Sequence, residues 1–125
     1  MKKIAFATDD GKTLSPHLGR ALYFQVATLD DSGAVTFEQR TKPHHGVEGE
    51  VSHQNHAGHG MGQAMIATIA DCQVLIAGGM GQPAYQHALS QGMEVFLTAE
   101  KSIQAAFASY RSGALVSDIR RIHPH

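Results

Sequence analysis

The chain has 125 residues, which favours a single domain, and 42% of them are hydrophobic, enough for one ordinary core. Its formal charge of −1 at pH 7 argues against a nucleic-acid-binding domain, because such domains are usually strongly basic. One Cys beside nine His excludes an internal disulfide and a cluster site built from four thiolates, so imidazole is the main metal-binding group available.

The first forty residues are predicted to form three strands. Residues 3–8 (KIAFAT) are a short apolar run, typical of a strand buried on both faces. Residues 22–29 and 34–41 are rich in β-forming residues, and the Asp30-Asp31-Ser32-Gly33 segment between them has turn chemistry. We therefore expect an antiparallel hairpin in this region.

Residues 42–60 are predicted to form a His- and Gly-rich loop. Five of the nine His lie within residues 44–59, near Glu48 and Glu50. Neutral imidazole binds transition metals without a large cost of deprotonation, so these side chains are candidate ligands for Zn, Ni or Fe ions. The competing interpretation is a solvated loop without fixed geometry, because its glycines raise the entropic cost of ordering ligands. The candidate metal ligands are His44, His45, His53, His56 and His59.

The second half alternates helices with strands. A helix is expected from Met61, and residues 73–77 (QVLIA) are predicted to be a buried strand. Pro83 suits the first turn of the next helix, and Gly92 suits its C-terminal cap. The inner face of that helix is predicted to be Ala84, Tyr85, Ala88 and Leu89.

One more strand and one more helix are predicted before the tail. Residues 93–97 (MEVFL) indicate a strand, and Thr98 is the predicted N-cap of a helix that ends near Gly113. The chain from residue 114 is predicted to be irregular, with at most one short strand. The order β-β-β-α-β-α-β-α predicts one α/β domain over residues 1–125. We expect three layers and a mixed five-stranded sheet, with the hairpin at one edge.

Two loops are expected at one edge of this sheet, where ligands of open α/β sheets usually bind. Gly78-Gly79-Met80-Gly81 lies between a strand and a helix, where backbone amides can meet an anion. A turn that needs Gly only for its backbone angles is the alternative. Asp9, His17 and Arg20 follow the first strand and are expected to reach the same crevice as ligand or counter-charge.

Two further side-chain groups have competing interpretations. Asp9 and Asp10 at the end of the first strand are typical of a Mg²⁺ site, but turn-forming carboxylates are an equal alternative. Cys72 is expected to be a small buried apolar residue and not a ligand. No sequence feature indicates an activated nucleophile.

Several segments resemble the dinitrogenase iron–molybdenum cofactor biosynthesis family. These are KIAFATDDG, SPHLGRALYFQV, GGMGQPAY and SYRSGAL, and with them the resemblance covers residues 3–115. It implies a ribonuclease-H-like α/β/α fold. It also implies a carrier that binds an iron–molybdenum or iron–sulfur cluster, or its precursor, and exchanges it with donor and acceptor proteins.

The resemblance implies that the cluster arrives preassembled, because one Cys cannot build a thiolate cage. His17 or a loop His would then ligate it, while Arg20 and the Gly78–Gly81 amides meet its negative charge. We therefore expect a non-catalytic binding protein. The alternatives are a Mg²⁺-dependent hydrolase or phosphotransfer domain that uses Asp9 and Asp10, and an interaction module whose His loop senses pH.

No run in the sequence has the length and hydrophobicity of a signal peptide or a membrane-spanning helix. We therefore expect a cytoplasmic protein with no membrane partner. Nucleic acid is not an expected partner either, for the charge reason given above.

Overall fold

The computed structural model describes residues 2–18, 21–41 and 66–123. Its strands are β1 Lys2–Thr8, β2 Tyr23–Leu29, β3 Val35–Thr41, β4 Val74–Ala77, β5 Met80–Gly81, β6 Glu94–Leu97 and β7 Ile122–His123. Its helices are α1 Gln82–Ser90 and α2 Ile103–Ser112; residues 66–68 are also helical, and Ile119–Arg121 form a 3₁₀ turn.

Five of these strands form one mixed sheet in the order β3-β2-β1-β4-β6. The pairs β1–β2 and β2–β3 are antiparallel, whereas β1–β4 and β4–β6 are parallel. The predicted α/β class and mixed five-stranded sheet are therefore confirmed. The sequence predicted at most one short strand after residue 114 and no partner for it. The structure pairs β7 in this tail with β5 in parallel, which places the end of the described chain beside the segment after β4.

The hairpin between β2 and β3 is formed by local side-chain chemistry. Asp30 accepts hydrogen bonds from the backbone amides of Ser32 and Ala34 at 2.9 and 3.1 Å, and from the Ser32 hydroxyl at 2.6 Å. Gly33 completes the turn with φ +93°, a left-handed conformation that other residues adopt at a cost. The predicted hairpin is confirmed.

Alternate residues of β1 point into two apolar clusters on opposite faces of the sheet. Ala5 and Ala7 lie in a cluster that also contains Ala84 and Ala88 of α1. Ile4 and Phe6 lie in the other cluster, with Ile103, Ala106 and Phe107 of α2. The Phe6 and Phe107 rings meet edge-to-face, with centroids 6.0 Å apart. Both faces of β1 are therefore buried, as predicted.

Two local predictions in the second half were wrong. Thr98 is not the N-cap of α2; Ser102 is, and its hydroxyl accepts from the Ala105 amide at 3.1 Å. Before the helix, Lys101 accepts from the Leu14 amide at 2.7 Å and Ser102 forms an isolated β-bridge with Thr13. Leu89 does not lie on the inner face of α1 but is 43% exposed, so the buried stripe of that helix is limited to Ala84 and Ala88.

A bidentate ion pair holds the end of β3 against the segment before β4. The Arg40 guanidinium binds both Asp71 carboxylate oxygens at 2.5 and 2.9 Å and donates to the Thr68 carbonyl at 3.1 Å. Through the Arg40 hydrogen bond, the pKa of Asp71 falls to about 2. The ion pair therefore connects Arg40 and Asp71, which lie on either side of residues 42–65 in the sequence.

This ion pair predicts an acid-dependent loss of stability. A lowered pKa in the folded state contributes stability above the ordinary pKa of 3.8, and that stability disappears as pH falls toward 2. Asp71→Asn should lower the free energy of unfolding by about 1 kcal/mol or less at pH 6, because Asp71 is half exposed and water screens the pair. Denaturant unfolding at pH 6 and pH 2.5 measures the difference, which should fall to about a third of its pH 6 value at pH 2.5, because Asp71 loses its charge in the folded state only near pH 2. Glu94→Gln on the exposed surface of β6 is the control; a difference for Asp71→Asn that persists unchanged at pH 2.5 would contradict the assignment.

Within the described ranges, no helix is long and apolar enough to cross a membrane. The prediction of one domain over residues 1–125 stays a prediction.

Candidate functional site

The loops that follow β1 and β4 meet at the carboxyl edge of the sheet. These strands are parallel, with Phe6 opposite Ile76, so both chains leave the sheet on the same side. The Gly78 amide donates to the Ser15 carbonyl at 2.9 Å, and the Leu18 amide donates to the Gly79 carbonyl at 2.8 Å. The expected meeting of the SPHL and GGMG segments is therefore present.

Gly78 is required here by close approach and not by backbone angle. Its φ is not positive, but a Cβ at this position would lie 2.7 Å from the Ser15 carbonyl oxygen and 2.8 Å from the Pro16 Cα. Both are backbone atoms, so any side chain would displace the loop. The Gly78 amide is occupied by the Ser15 carbonyl and the Gly78 φ is not positive, so the alternative of a Gly chosen only for its angles does not hold at this residue; anion binding by the remaining amides of Gly78–Gly81 stays a prediction.

Met80 differs from its prediction. It was placed in the Gly78–Gly81 turn with the other cofactor-binding candidates, but its side chain is fully buried in the core cluster on the α1 face. The reason is that Met80 and Gly81 form β5, which pairs with Ile122 and His123 of β7. Gly81 is also the N-cap of α1 and provides no side-chain cap.

An open basin of about 510 Å³ lies where the two loops meet. His17 is half-buried there, and its backbone is fixed by Ser15, whose hydroxyl donates to the His17 carbonyl at 2.9 Å. The residues that line the basin are Pro16, His17, Gly78, Asp118, Arg120 and Arg121. One His, two Arg and one Asp thus line the same basin.

Arg121 is the more buried of the two arginines that line the basin, with 35% of its side chain exposed against 88% for Arg120. Its Nη1 donates to the Gly78 carbonyl at 3.3 Å, and its Nε lies 3.8 Å from Asp118 Oδ2. That Nε is buried and has no hydrogen-bond partner among the described residues. A buried donor without an acceptor costs about 1–3 kcal/mol, so a side-chain movement that brings this Nε to an acceptor atom of a ligand in the basin is favoured.

Asp118 holds the tail in place and partly neutralises the basin. Its amide donates to Leu97 of β6 at 2.8 Å, and its carboxylate caps the 3₁₀ turn by accepting from the Arg120 amide at 3.1 Å. The same carboxylate binds the Arg120 side chain at 2.9 and 3.2 Å. The hydrogen bond from Arg120 lowers the pKa of Asp118, which is therefore ionised at neutral pH.

The two predicted Asp residues have loop-forming contacts. Asp9 Oδ1 accepts from the Leu22 amide at 3.0 Å. Asp10 Oδ1 accepts from the amides of Lys12 and Thr13, each at 2.8 Å, and these bonds lower the Asp10 pKa to about 2. Neither Asp lines the basin. Cys72 is buried, as expected, and burial raises its pKa to about 11, so it is a neutral thiol at pH 7.

The remaining predicted site residues lie outside the described residues. They are Arg20, His44, His45, His53, His56 and His59. Among residues 2–18, 21–41 and 66–123, no three His, Cys, Asp or Glu side chains are grouped so that they could hold a metal ion.

Sequence reasoning missed the contribution of the tail. Asp118, Arg120 and Arg121 were placed in a segment predicted to be irregular, yet they provide half of the residues that line the basin. The available signal was the Asp-x-Arg-Arg sequence, in which an Asp can cap the turn that follows it.

Comparisons with solved structures show the same fold. The apo form of the orange protein from Desulfovibrio gigas is 22% identical, covers 94% of this chain and 93% of its own, and has a TM-score of 0.67. A protein from Methanocaldococcus jannaschii, provisionally described as a dinitrogenase, is 15% identical with 93% of each chain covered and a TM-score of 0.63. A protein from Thermotoga, provisionally described as NifB, is 21% identical, with 94% and 93% covered and a TM-score of 0.61.

The sequence comparisons agree with the resemblance noted from the motifs. The search of curated proteins gives no match. A family model described as "Dinitrogenase iron-molybdenum cofactor" matches residues 1–113, which include His17 and Gly78 and end before Asp118. The chain therefore belongs to the dinitrogenase iron–molybdenum cofactor family.

Proposed function

We propose that this chain is a non-catalytic carrier that binds a preassembled, negatively charged metal–sulfur cluster in the basin. The cluster is an iron–molybdenum cofactor, an iron–sulfur cluster or a precursor of either. The observation that carries the proposal is the half-buried His17 imidazole beside Arg121, whose buried Nε has no acceptor in the described part of the protein. Membership of the family supports the class of ligand.

The donor set of the basin suits a cluster better than a bare ion. A Zn²⁺ or Ni²⁺ ion needs three or four protein ligands, whereas the described part of the basin offers one imidazole and one carboxylate already bound to Arg120. A preassembled cluster that carries its own bridging sulfides and non-protein terminal ligands needs few ligands from the protein, so one imidazole and ionic contacts are sufficient to hold it. Such weak attachment is also suited to transfer between donor and acceptor proteins, which we propose as partners.

Two other interpretations of the sequence remain predictions. A Zn, Ni or Fe ion on His44, His45, His53, His56 and His59 is the alternative cargo. The three-layer, ribonuclease-H-like arrangement is supported by the placement of α1 and α2 in opposite core clusters. The hydrolase alternative has less support, because Asp9 and Asp10 already accept hydrogen bonds from their own loop.

Anaerobic reconstitution tests the proposal. Purified protein is incubated separately with extracted iron–molybdenum cofactor, with a synthetic [4Fe–4S] cluster and with Zn²⁺, then passed through a desalting column. We expect one cluster per chain, with a visible charge-transfer band that is lost in His17→Ala. Binding of Zn²⁺ alone, or cluster binding that is unchanged in His17→Ala, would overturn the assignment to the basin.

Removing the carboxylate of Asp118 tests the sign of the ligand charge. Asp118→Asn keeps an N-cap side chain but removes one negative charge from the basin. We expect the affinity for an anionic cluster to rise about three- to tenfold, as the loss of a screened repulsion of about 1 kcal/mol implies. Competition titration between wild type and variant measures it, and a weaker affinity in Asp118→Asn would indicate a cationic ligand.

A further inference from the structure

An open groove runs along α2 on the other face of the sheet, outside the basin. It has a volume of about 660 Å³ and lies between the helix and strands β2 and β3. Its floor is apolar and consists of Val35, Phe37, Ile103 and Phe107. None of these residues lines the basin, so the groove is a separate feature of the protein.

Phe37 leaves the floor of the groove accessible. Its side chain is 50% exposed, although it is a large apolar residue in the middle of β3. One edge of the ring contacts Phe107, with centroids 5.9 Å apart, and the rest faces solvent. The exposed ring and the apolar floor together form a surface that a partner's apolar side chain can cover.

The groove has a cation at each end and no acidic side chain in its lining. Lys12 lies at the end near Gln25, and its carbonyl accepts from the Ile103 amide at 2.9 Å. Arg111 lies at the other end, beside Leu29, with its guanidinium 5.4 Å from the centre of the Phe107 ring. Among the described residues, neither cation forms a salt bridge.

Strand β3 borders the groove and is an edge strand. It pairs with β2 on one side, and the described residues place no strand on its other side. The strand has seven residues and contains neither Pro nor Gly, so its backbone groups can accept another strand. Added strands of this kind gain affinity from main-chain hydrogen bonds and specificity from alternate side chains.

We propose that this groove docks an extended acidic segment of a partner protein, which adds as a strand to β3. Alternate side chains of the added strand would lie over the groove. The proposed segment therefore has an apolar residue opposite Phe37 and acidic residues two positions before and two positions after it. Positions i and i+4 of a strand are about 13 Å apart. Arg111 lies eight positions after Ile103 along α2, which corresponds to a rise of about 12 Å, and Ile103 is next to Lys12. The acidic-x-apolar-x-acidic spacing thus matches the two cations.

A seven-residue peptide tests this docking site. The probe is acetyl-Thr-Glu-Thr-Val-Thr-Glu-Thr-amide, titrated into the full chain and followed by amide chemical shifts. We expect saturable shifts in β3 and α2, and at least a tenfold loss of affinity in the Lys12→Gln, Arg111→Gln double variant. Lys101→Gln, which removes an exposed cation outside the groove, should leave the affinity within twofold.

Three results would overturn the proposal. The first is that a peptide with Lys in place of both Glu residues binds as tightly as the original peptide. The second is that the double variant binds the original peptide as tightly as the wild type does. The third is that a peptide N-methylated at alternate amides, which cannot add as a strand, binds as tightly as the original peptide. Tighter binding of free benzoate than of the peptide would instead make the groove a small-molecule site and would also refute it. The test does not involve the basin, so its outcome is separate from that of the proposed cluster carrier.

Discussion

Replacing Arg121 with Gln should weaken cluster binding in the basin about ten- to a hundredfold. The guanidinium donates to the Gly78 carbonyl and lies 3.8 Å from Asp118, but its buried Nε has no acceptor among the described residues, so a ligand can provide the acceptor that this nitrogen lacks. Charge-assisted hydrogen bonds contribute about 1.5–3 kcal/mol, which is the expected loss. The measurement is the dissociation constant of the synthetic [4Fe–4S] cluster under anaerobic conditions.

Two other arginines serve as controls for this prediction. Arg120 also lines the basin, but its side chain is 88% exposed and already binds Asp118, so Arg120→Gln should change the affinity less than threefold. Arg111→Gln removes the same charge outside the basin and should have no effect. Equal losses in all three variants would mean that only net charge matters, which would contradict a specific role for Arg121.

Gly78→Ala should both destabilise the fold and abolish cluster binding. The new Cβ would lie within 3 Å of two backbone atoms of the Ser15–Pro16 loop, which cannot rotate away as a side chain can. Overpacking of this kind costs about 1–3 kcal/mol. Because His17 follows that loop directly, we expect the imidazole to move out of the basin. Denaturant unfolding gives the stability, and cluster titration of the folded fraction gives the affinity.

Gly92→Ala separates these two effects. Gly92 has φ +86° and no heavy atom within 4 Å of an added Cβ, so Ala there introduces backbone strain of about 1–2 kcal/mol without a steric clash. It lies after α1 and outside the basin. Gly92→Ala should therefore lower the free energy of unfolding and leave the cluster affinity unchanged. If Gly78→Ala also kept its cluster affinity, the close approach of Gly78 to the Ser15–Pro16 loop would not be what positions that loop.

The parts of the fold that local chemistry determines were predictable from the sequence. The Asp30–Gly33 turn is one example, because the Asp30 carboxylate makes the turn with amides only two and four residues away. The two-faced burial of β1 is another, since its apolar run leaves no polar face for solvent. The turn depends on neighbours in sequence alone, whereas the burial of β1 is completed by α1 and α2 but is already evident in the composition of the strand itself.

Features decided by distant contacts were not predictable. Thr98 and Ser102 are equally good caps by residue type, and the contact of Lys101 with Leu14 decides between them. The same holds for the basin, where the approach of Ser15 to Gly78 and the return of Arg121 to the Gly78 carbonyl join segments far apart in sequence. The tail that provides Arg121 has no helical or strand period, so it carried no signal of its position.

Anomalous diffraction at the iron edge from crystals of the reconstituted protein tests the central claim most directly. The carrier account predicts one strong peak in the basin, within coordination distance of the His17 imidazole and beside Arg121. A peak at the histidines of residues 44–59, or at Asp9 and Asp10, with none in the basin would contradict it.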